Sequence, residues 1–157
     1  MKLTKLDVIR LWNAIEACKE HKNTKFIYAI LKTKKLIKDE VEMLTALSSP
    51  SRKFQEYQKH RVELCTKYCE KENARPLIEN GEYVFSEENR GKFEEELIKI
   101  KAKYKDWIDE RDEQMANYNQ MLKDEVDVEI HQVGLMYVPE DLNATVLEGL
   151  LPLIMEE

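Results

Sequence analysis

The feature that most constrains this chain is a helical pattern that runs for 36 residues, from 87 to about 122, without a proline. Within it, apolar side chains recur at spacings of three and four residues, which places them along one face of an α-helix. These side chains belong to Phe93, Leu97, Ile100, Tyr104 and Trp107. The pattern weakens at Arg111 and Gln114 and resumes at Tyr118 and Met121. A helix of about 54 Å needs other helices to cover its apolar face, which predicts a mainly helical fold.

The composition agrees with this prediction. Only four glycines and four prolines occur among 157 residues, and 36% of the residues are charged, which is typical of helices with one solvated face. This length is usual for one domain, so we predict a single domain over residues 1–157. Helices are predicted at about 4–19, 25–47, 50–72, 87–122 and 144–155, with N-caps at Thr4, Ser49 and Ser86.

A β-hairpin is predicted at residues 76–85, between the third and fourth helices. Asn80 and Gly81 adopt positive φ at a lower cost than other residues do, and a two-residue type I′ turn requires positive φ at both positions. The register set by this turn pairs Leu77 with Val84, Ile78 with Tyr83, and Glu79 with Glu82.

Residues 125–131 alternate apolar and polar side chains, as does a strand with one buried face. Because a lone hairpin is only marginally stable in water, we expect this strand to join the 76–85 hairpin in an antiparallel sheet. The predicted fold is mainly α (α+β): an antiparallel helical bundle or coiled-coil hairpin with this small sheet at one end. Helices two and three are expected to pack against the fourth, and the final helix to dock on the sheet.

Two pairs of residues could bind a metal ion. Cys18 and His21 lie three residues apart, and Cys65 and Cys69 lie four apart, so each pair shares a helix face, and together they form a ligand set suited to zinc. The alternative is that the cysteines are simply buried and reduced, as free cysteines commonly are. We favour the second interpretation because structural zinc sites usually have cysteines with a two-residue spacing. No cofactor is therefore predicted, and zinc is kept as an alternative.

The charge is distributed unevenly along the chain. Residues 1–71 carry a net charge of +7 and residues 72–157 a net charge of −13, so the halves should attract each other, within one chain or between chains packed head to tail. The basic segment Lys32–Lys38 could contact phosphates. The nearby aromatic residues lie in the heptad stripe instead of among the lysines, so a solvated face or a surface for the acidic half is favoured over a nucleic-acid site.

Other patterns bear on function and location. The chain has no phosphate-binding glycine loop and no G-x-S-x-G, H-E-x-x-H or EF-hand pattern, so we predict that it is not an enzyme. No run reaches the roughly 18 apolar residues of a membrane-spanning helix, and we expect a soluble protein of the cytoplasm that does not contact membranes.

Two arginines occupy core-facing heptad positions. Arg61 and Arg111 could form a paired polar layer that fixes the register of the helices, or each could extend to water along an ordinary helix seam. We favour the second interpretation because both side chains are long. The predicted interaction residues, which would mediate homo-oligomerisation, are Arg61, Arg111, Gln114, Tyr118 and Met121.

The order of helix, "NGEYVF" hairpin, long charged helix, alternating strand and "VPEDLNATVLEGLLPLI" resembles small helical proteins of unknown function encoded by tailed phages and prophages of Gram-positive bacteria. The resemblance covers about residues 73–157 and implies a phage origin and the host-cell cytoplasm. Two helices joined by a hairpin are also similar in layout to a prefoldin subunit, which lacks the C-terminal strand and helix.

The function predicted from these features is non-catalytic. We expect an assembly factor or structural accessory of a phage that acts through protein–protein interaction as a homo-oligomer. One alternative is a phage inhibitor or adaptor that binds a host protein through its acidic C-terminal half. The other is a zinc-stabilised nucleic-acid binder.

Overall fold

The computed structural model describes residues 1–155. Its helices are α1 (Lys5–Cys18), α2 (Thr24–Ser48), α3 (Arg52–Tyr68), α4 (Glu87–Lys103), α5 (Lys105–Met121) and α6 (Ala144–Leu150). Its strands are β1 (Lys2–Thr4), β2 (Lys71–Glu72), β3 (Arg75–Pro76), β4 (Ile78–Glu79), β5 (Glu82–Tyr83), β6 (Glu125–Asp127), β7 (Val133–Gly134) and β8 (Ile154–Met155). Most of the described chain is helical and its strands are short, which confirms the prediction of a mainly α fold.

The chain divides into two compact units. The first unit contains Met1–Ser49 and the chain from Ala116 onwards, and the second contains Pro50–Met115. The prediction of a single domain over residues 1–157 stays a prediction.

The core of the first unit lies where α1 packs against α2 and α6. Its fully buried side chains include Val8, Leu11, Ile15, Cys18, Phe26, Ile30, Ile37, Leu150 and Leu153. Gly149 brings α6 close to α1, since a Cβ atom at this position would lie 2.7 Å from Ala14 Cβ and 2.9 Å from the carbonyl oxygen of Arg10. The C-terminal segment therefore docks on α1 and ends in β8, which pairs in parallel with β7, instead of docking on the predicted sheet.

The prediction that the strand at 125–131 joins the 76–85 hairpin in one sheet is wrong. β6 pairs with β1 in an antiparallel ladder that aligns Leu3 with Val126, and the backbone N–H of Val128 extends it by donating to the carbonyl oxygen of Met1. The apolar face predicted for residues 125–131 is nevertheless packed on the core of this unit, through Val126, Val128 and Ile130.

The hairpin forms as predicted. β4 pairs with β5 in the expected register, with Ile78 opposite Tyr83 and Glu79 opposite Glu82, and both Asn80 and Gly81 have positive φ. The hairpin is supported by the chain just after α3 and not by the strand at 125–131. The N–H of Glu70 donates to the Val84 carbonyl oxygen at 2.7 Å, and its own carbonyl oxygen accepts from the N–H of Leu77 at 2.8 Å.

A second tight turn, which the sequence reasoning missed, supports the hairpin. β2 and β3 pair with each other through a turn in which Asn73 and Ala74 have φ values of 51° and 63°. Asparagine tolerates this conformation, but alanine adopts it uncommonly. Asn73 was therefore the one residue of the pair that favoured a turn in the sequence.

In the second unit, α3 packs against α4. The two helices are antiparallel. Tyr68, near the end of α3, bonds Glu96 in the middle of α4, whereas the ring of Tyr57, near the start of α3, lies 6.0 Å from the ring of Tyr104 after the end of α4. The predicted 36-residue helix is divided at Tyr104, which has non-helical dihedral angles between α4 and α5. Its ring is buried in an aromatic group with Tyr57, His60 and Trp107.

The helix boundaries follow their capping residues. Thr4 and Ser86 accept hydrogen bonds from backbone N–H groups three residues on, as N-caps do, and these two predictions are confirmed. The third helix begins two residues later than predicted, since its N-cap is Ser51 instead of Ser49. The last helix is shorter than predicted, because a 3₁₀ helix that contains Pro152 follows it over Leu151–Leu153.

Candidate functional site

An apolar groove lies in the first unit between the start of α2 and the chain around β7. It has a volume of about 400 Å³. We call it the α2 groove, and its lining residues are Thr24, Lys25, Tyr28, Ala29, His131, Gln132, Val133, Gly134, Tyr137 and Met155. Two polar side chains meet at its edge, where Lys25 Nζ donates to Tyr137 Oη at 2.7 Å. An apolar concavity with a few placed polar groups is the usual form of a binding site.

A buried hydroxyl group fixes one wall of the α2 groove. Thr33 is fully buried, its Oγ1 accepts from the backbone N–H of His131 at 3.0 Å, and it donates to the His131 carbonyl oxygen at 3.4 Å. The His131 ring also packs edge-on against Tyr28, with centroids 5.3 Å apart. The segment after β6 is therefore held on α2 by both backbone and side-chain contacts.

Four exposed apolar side chains belong to the segments that line the α2 groove, and we call them its apolar rim. Tyr28 and Leu31 on α2 are 58% and 53% exposed, and Leu135 and Met136 beyond β7 are 56% and 70% exposed. Single exposed apolar residues are ordinary, but several beside one groove indicate a surface that binds another molecule.

The exposed side of α2 beside the groove is basic. Lys25, Tyr28, Leu31, Lys32 and Lys35 are all exposed, and their spacings of three and four residues place them on one side of the helix. We call this set the basic face. Residues 22–38 carry six lysines and no carboxylate, so the start of α2 is strongly positive.

One lysine of α2 has a local partner on α1. Lys34 forms an ion pair with Glu16 and lies 5.0 Å from the centre of the Trp12 ring. The hydrogen bond from Lys34 lowers the pKa of the Glu16 carboxyl group. This lysine therefore joins two helices and is not part of the basic face.

A second groove, of about 380 Å³, lies in the second unit between α3, the hairpin and α4. Its lining includes Arg61, Arg90 and Phe93 together with the buried Cys65, and Phe93 stacks on Phe85 with ring centroids 4.6 Å apart. The apolar seam of the predicted long helix is therefore only half-buried at its start, whereas the prediction had it covered by other helices.

The structure places the predicted interaction residues in different surroundings. Arg61 is exposed and bonds Gln58 on its own helix. Arg111 is half-buried, donates to the side chain of Gln114 at 2.8 Å, and lies 5.7 Å from the Phe54 ring. Tyr118 and Met121 are also half-buried on α5. Their predicted role in interaction stays a prediction.

The outward side of α5 is acidic. Asp106, Asp109, Glu110 and Glu113 are all exposed, and their spacing places them within one side of the helix. We call this set the acidic stripe. Asp109 is paired with Lys105 four residues earlier, and no other member of the stripe has an ion pair within residues 1–155.

The structure does not assemble the four-residue zinc set. Within residues 1–155, no group of three or more histidine, cysteine, aspartate or glutamate side chains is placed to hold a metal ion. Cys18, Cys65 and Cys69 are buried, and the ring of His21 packs against Phe26. Burial raises the pKa of the Cys18 and Cys65 thiols, which favours the protonated form over the thiolate that binds metal.

Sequence reasoning missed the α2 groove because its walls come from distant parts of the chain. Two signals were present. Tyr28 and Leu31 are large apolar residues outside the buried heptad stripe of α2, and Val133–Tyr137 is an almost wholly apolar run in an otherwise polar region. Only the fold shows that the two features lie together.

No helix within the described part of the chain is both long and apolar enough to cross a membrane. Comparison with known proteins found no match to the chain among protein-family models, curated proteins or solved structures.

Proposed function

We propose that this chain is a non-catalytic phage protein that acts by binding other proteins, as an assembly factor or structural accessory, and that it forms a homo-oligomer. The observation that carries this proposal is the α2 groove with its rim of exposed apolar side chains. Such side chains gain free energy when another protein surface covers them, by about 25 cal/mol for each Å² of apolar area buried.

The chemistry of the α2 groove supports binding over catalysis. The α2 groove is lined mainly by apolar and aromatic side chains, and its polar contact joins Lys25 to the uncharged hydroxyl group of Tyr137. Its titratable residues are Lys25, Tyr28, His131 and Tyr137, so a carboxylate to act as general base or to orient the histidine is missing from the lining.

Copurification from phage-infected or lysogenic cells tests this proposal. A tagged chain should recover a phage structural protein, or untagged copies of itself, in stoichiometric amounts. Met136→Lys should reduce the recovery because it places a charge in the exposed apolar rim, while Met43→Lys, on the exposed surface of α2 outside the groove lining, should not. Recovery of no protein in stoichiometric amounts would contradict the proposal.

A second candidate function is favoured by the acidic stripe of α5. A row of exposed carboxylates can imitate a polyanion and compete for a basic groove on a host protein, which is the action of an inhibitor or adaptor. In that case capture of the host protein would weaken with salt, would be lost in Glu110→Lys/Glu113→Lys, and would be unaffected by Met136→Lys.

A further inference from the structure

We propose that the basic face of α2 binds the acidic stripe of α5 in a second copy of the chain, in a head-to-tail contact. This inference rests on the proposed protein-binding function and names the partner and the two surfaces that meet. The two helical surfaces are complementary in charge, and each lacks enough partners of the opposite charge within its own unit.

The lysines of the basic face are not neutralised locally. Within residues 1–155, neither Lys32 nor Lys35 has an ion pair, and Lys25 is bonded to the uncharged Tyr137. Asp127 and Glu129 line a neighbouring groove together with Lys32. Asp127 is paired with the N-terminal ammonium group, which leaves Glu129 in that groove against the three lysines. The basic face therefore presents a net positive charge.

The acidic stripe has the corresponding excess of negative charge. Asp106, Glu110 and Glu113 are exposed and have no ion pair within residues 1–155, whereas Asp109 is paired with Lys105. The stripe runs along one helix from residue 106 to residue 113, a length of about 10 Å at 1.5 Å per residue. The lysines at 25, 32 and 35 span about 15 Å on the same rule, so the whole acidic stripe fits within the length of the basic face.

Apolar side chains lie between the lysines and add to the electrostatic attraction. Tyr28 and Leu31 occupy the middle of the basic face, and Lys32 Nζ lies 5.8 Å from the centre of the Tyr28 ring. The expectation that the aromatic residues of this segment lie apart from the lysines is therefore wrong for Tyr28. A helix laid across Tyr28 and Leu31 would remove both from water. Charge complementarity would then fix the orientation of the contact more than its strength.

The two surfaces are different, so their contact is heterologous. In a pair, one copy keeps its acidic stripe unused and the other keeps its basic face unused, so further copies add until a ring closes or an open chain forms. A protein that extends in this way is suited to a structural or assembly role.

Sedimentation velocity at tens of micromolar tests the inference with four proteins. The wild type is compared with Lys32→Glu/Lys35→Glu, which reverses the basic face, and with Glu110→Lys/Glu113→Lys, which reverses the acidic stripe. Lys59→Glu/Lys101→Glu is the matched control, because it changes the net charge as the first variant does but alters exposed lysines outside both surfaces. Circular dichroism confirms that each variant is folded.

We expect the wild type and the control to self-associate, with a dissociation constant that rises at least about tenfold between about 0.05 M and about 0.5 M NaCl. Each reversed variant alone should be monomeric. An equimolar mixture of the two reversed variants should associate again, since each supplies the surface that the other lacks. Restoration on mixing separates a direct contact from a general effect of charge.

Three results would overturn the inference. The wild type could be monomeric in low salt, the reversed variants could associate as the wild type does, or mixing could fail to restore association. A monomer that shifts an oligonucleotide in a gel, with the shift lost in Lys32→Glu/Lys35→Glu, would assign the basic face to nucleic acid instead. The proposed function would survive any of the first three if copurification recovered another phage protein, so the two failures are distinguishable.

Discussion

Replacement of Gly149 by alanine tests the close packing of α6 on α1. The new Cβ atom would lie 2.7 Å from Ala14 Cβ and 2.9 Å from the carbonyl oxygen of Arg10, whereas carbon atoms in good contact are about 3.5–4.0 Å apart. Neither neighbour is the mobile tip of a long side chain, so one helix must move. Overpacking of this kind costs about 1–3 kcal/mol.

The higher helix propensity of alanine opposes this cost in stability and is the smaller of the two effects. Alanine stabilises a helix interior relative to glycine by about 0.5–1 kcal/mol, and Gly149 lies near the end of α6, where this gain is at its least. The net effect expected for Gly149→Ala is a decrease of about 0.5–2 kcal/mol in the free energy of unfolding. Gly91→Ala is the matched control, because a Cβ atom there meets nothing within 4 Å, and it should be neutral or stabilising by up to about 1 kcal/mol.

Urea unfolding monitored by circular dichroism and tryptophan fluorescence measures both changes. Trp12 and Trp107 are the two tryptophans of the chain, one in each unit, so single Trp→Phe backgrounds report on the units separately. Adding Ala14→Gly to Gly149→Ala removes the nearer of the two contacts and should give a coupling free energy of at least about 0.5 kcal/mol. A Gly149→Ala variant as stable as the wild type would show that α6 and α1 have room for a Cβ atom at this position, contrary to this prediction.

Three other changes test separate parts of the structure. Thr33→Val removes both hydrogen bonds to the backbone of His131 and should reduce the free energy of unfolding by about 1–3 kcal/mol, while Thr33→Ser, which keeps the hydroxyl group, should cost less in the same urea titration. The pKa of Glu16 is lowered by its hydrogen bond from Lys34, so its contribution to stability is present above the ordinary glutamate pKa of about 4.3 and is lost as pH falls through the lowered value. The difference in stability between the wild type and Glu16→Gln should therefore shrink in acid, and a difference that stayed constant with pH would contradict this assignment. Gly81→Ala places a side chain at a φ of +79° and should cost about 1–2 kcal/mol, with a smaller loss for Gly81→Asn, as thermal unfolding would show.

Local signals in the sequence were sufficient for the elements that depend on neighbouring residues. The Asn80-Gly81 turn determined the hairpin register, because only residues that tolerate positive φ fit a type I′ turn and the turn then fixes which residues face each other. Thr4 and Ser86 began their helices for a similar reason, since each hydroxyl group bonds a backbone N–H three residues away. These interactions are formed within a few residues, and a sequence pattern therefore contains them.

The partners of these elements were decided by tertiary structure. The alternating pattern of residues 125–131 showed which side chains would be buried, but not that β6 would pair with β1 at the opposite end of the chain. Strand pairing depends on backbone hydrogen bonds that are the same for every sequence, so the pattern alone left several partners open. Tyr104 is another example, because its burial against Tyr57 and His60 accompanies a break that the heptad pattern did not contain.

By itself, the sequence determined that this chain is mainly helical, where its tight Asn-Gly turn lies, and that its two halves carry opposite charge. Only the tertiary structure decided where that charge and the apolar surface are found together, on the exposed side of α2 beside the segment that Thr33 holds. The physical reason is that propensity, capping and periodicity act over a few residues, whereas a groove requires the packing of segments about 100 residues apart in the chain.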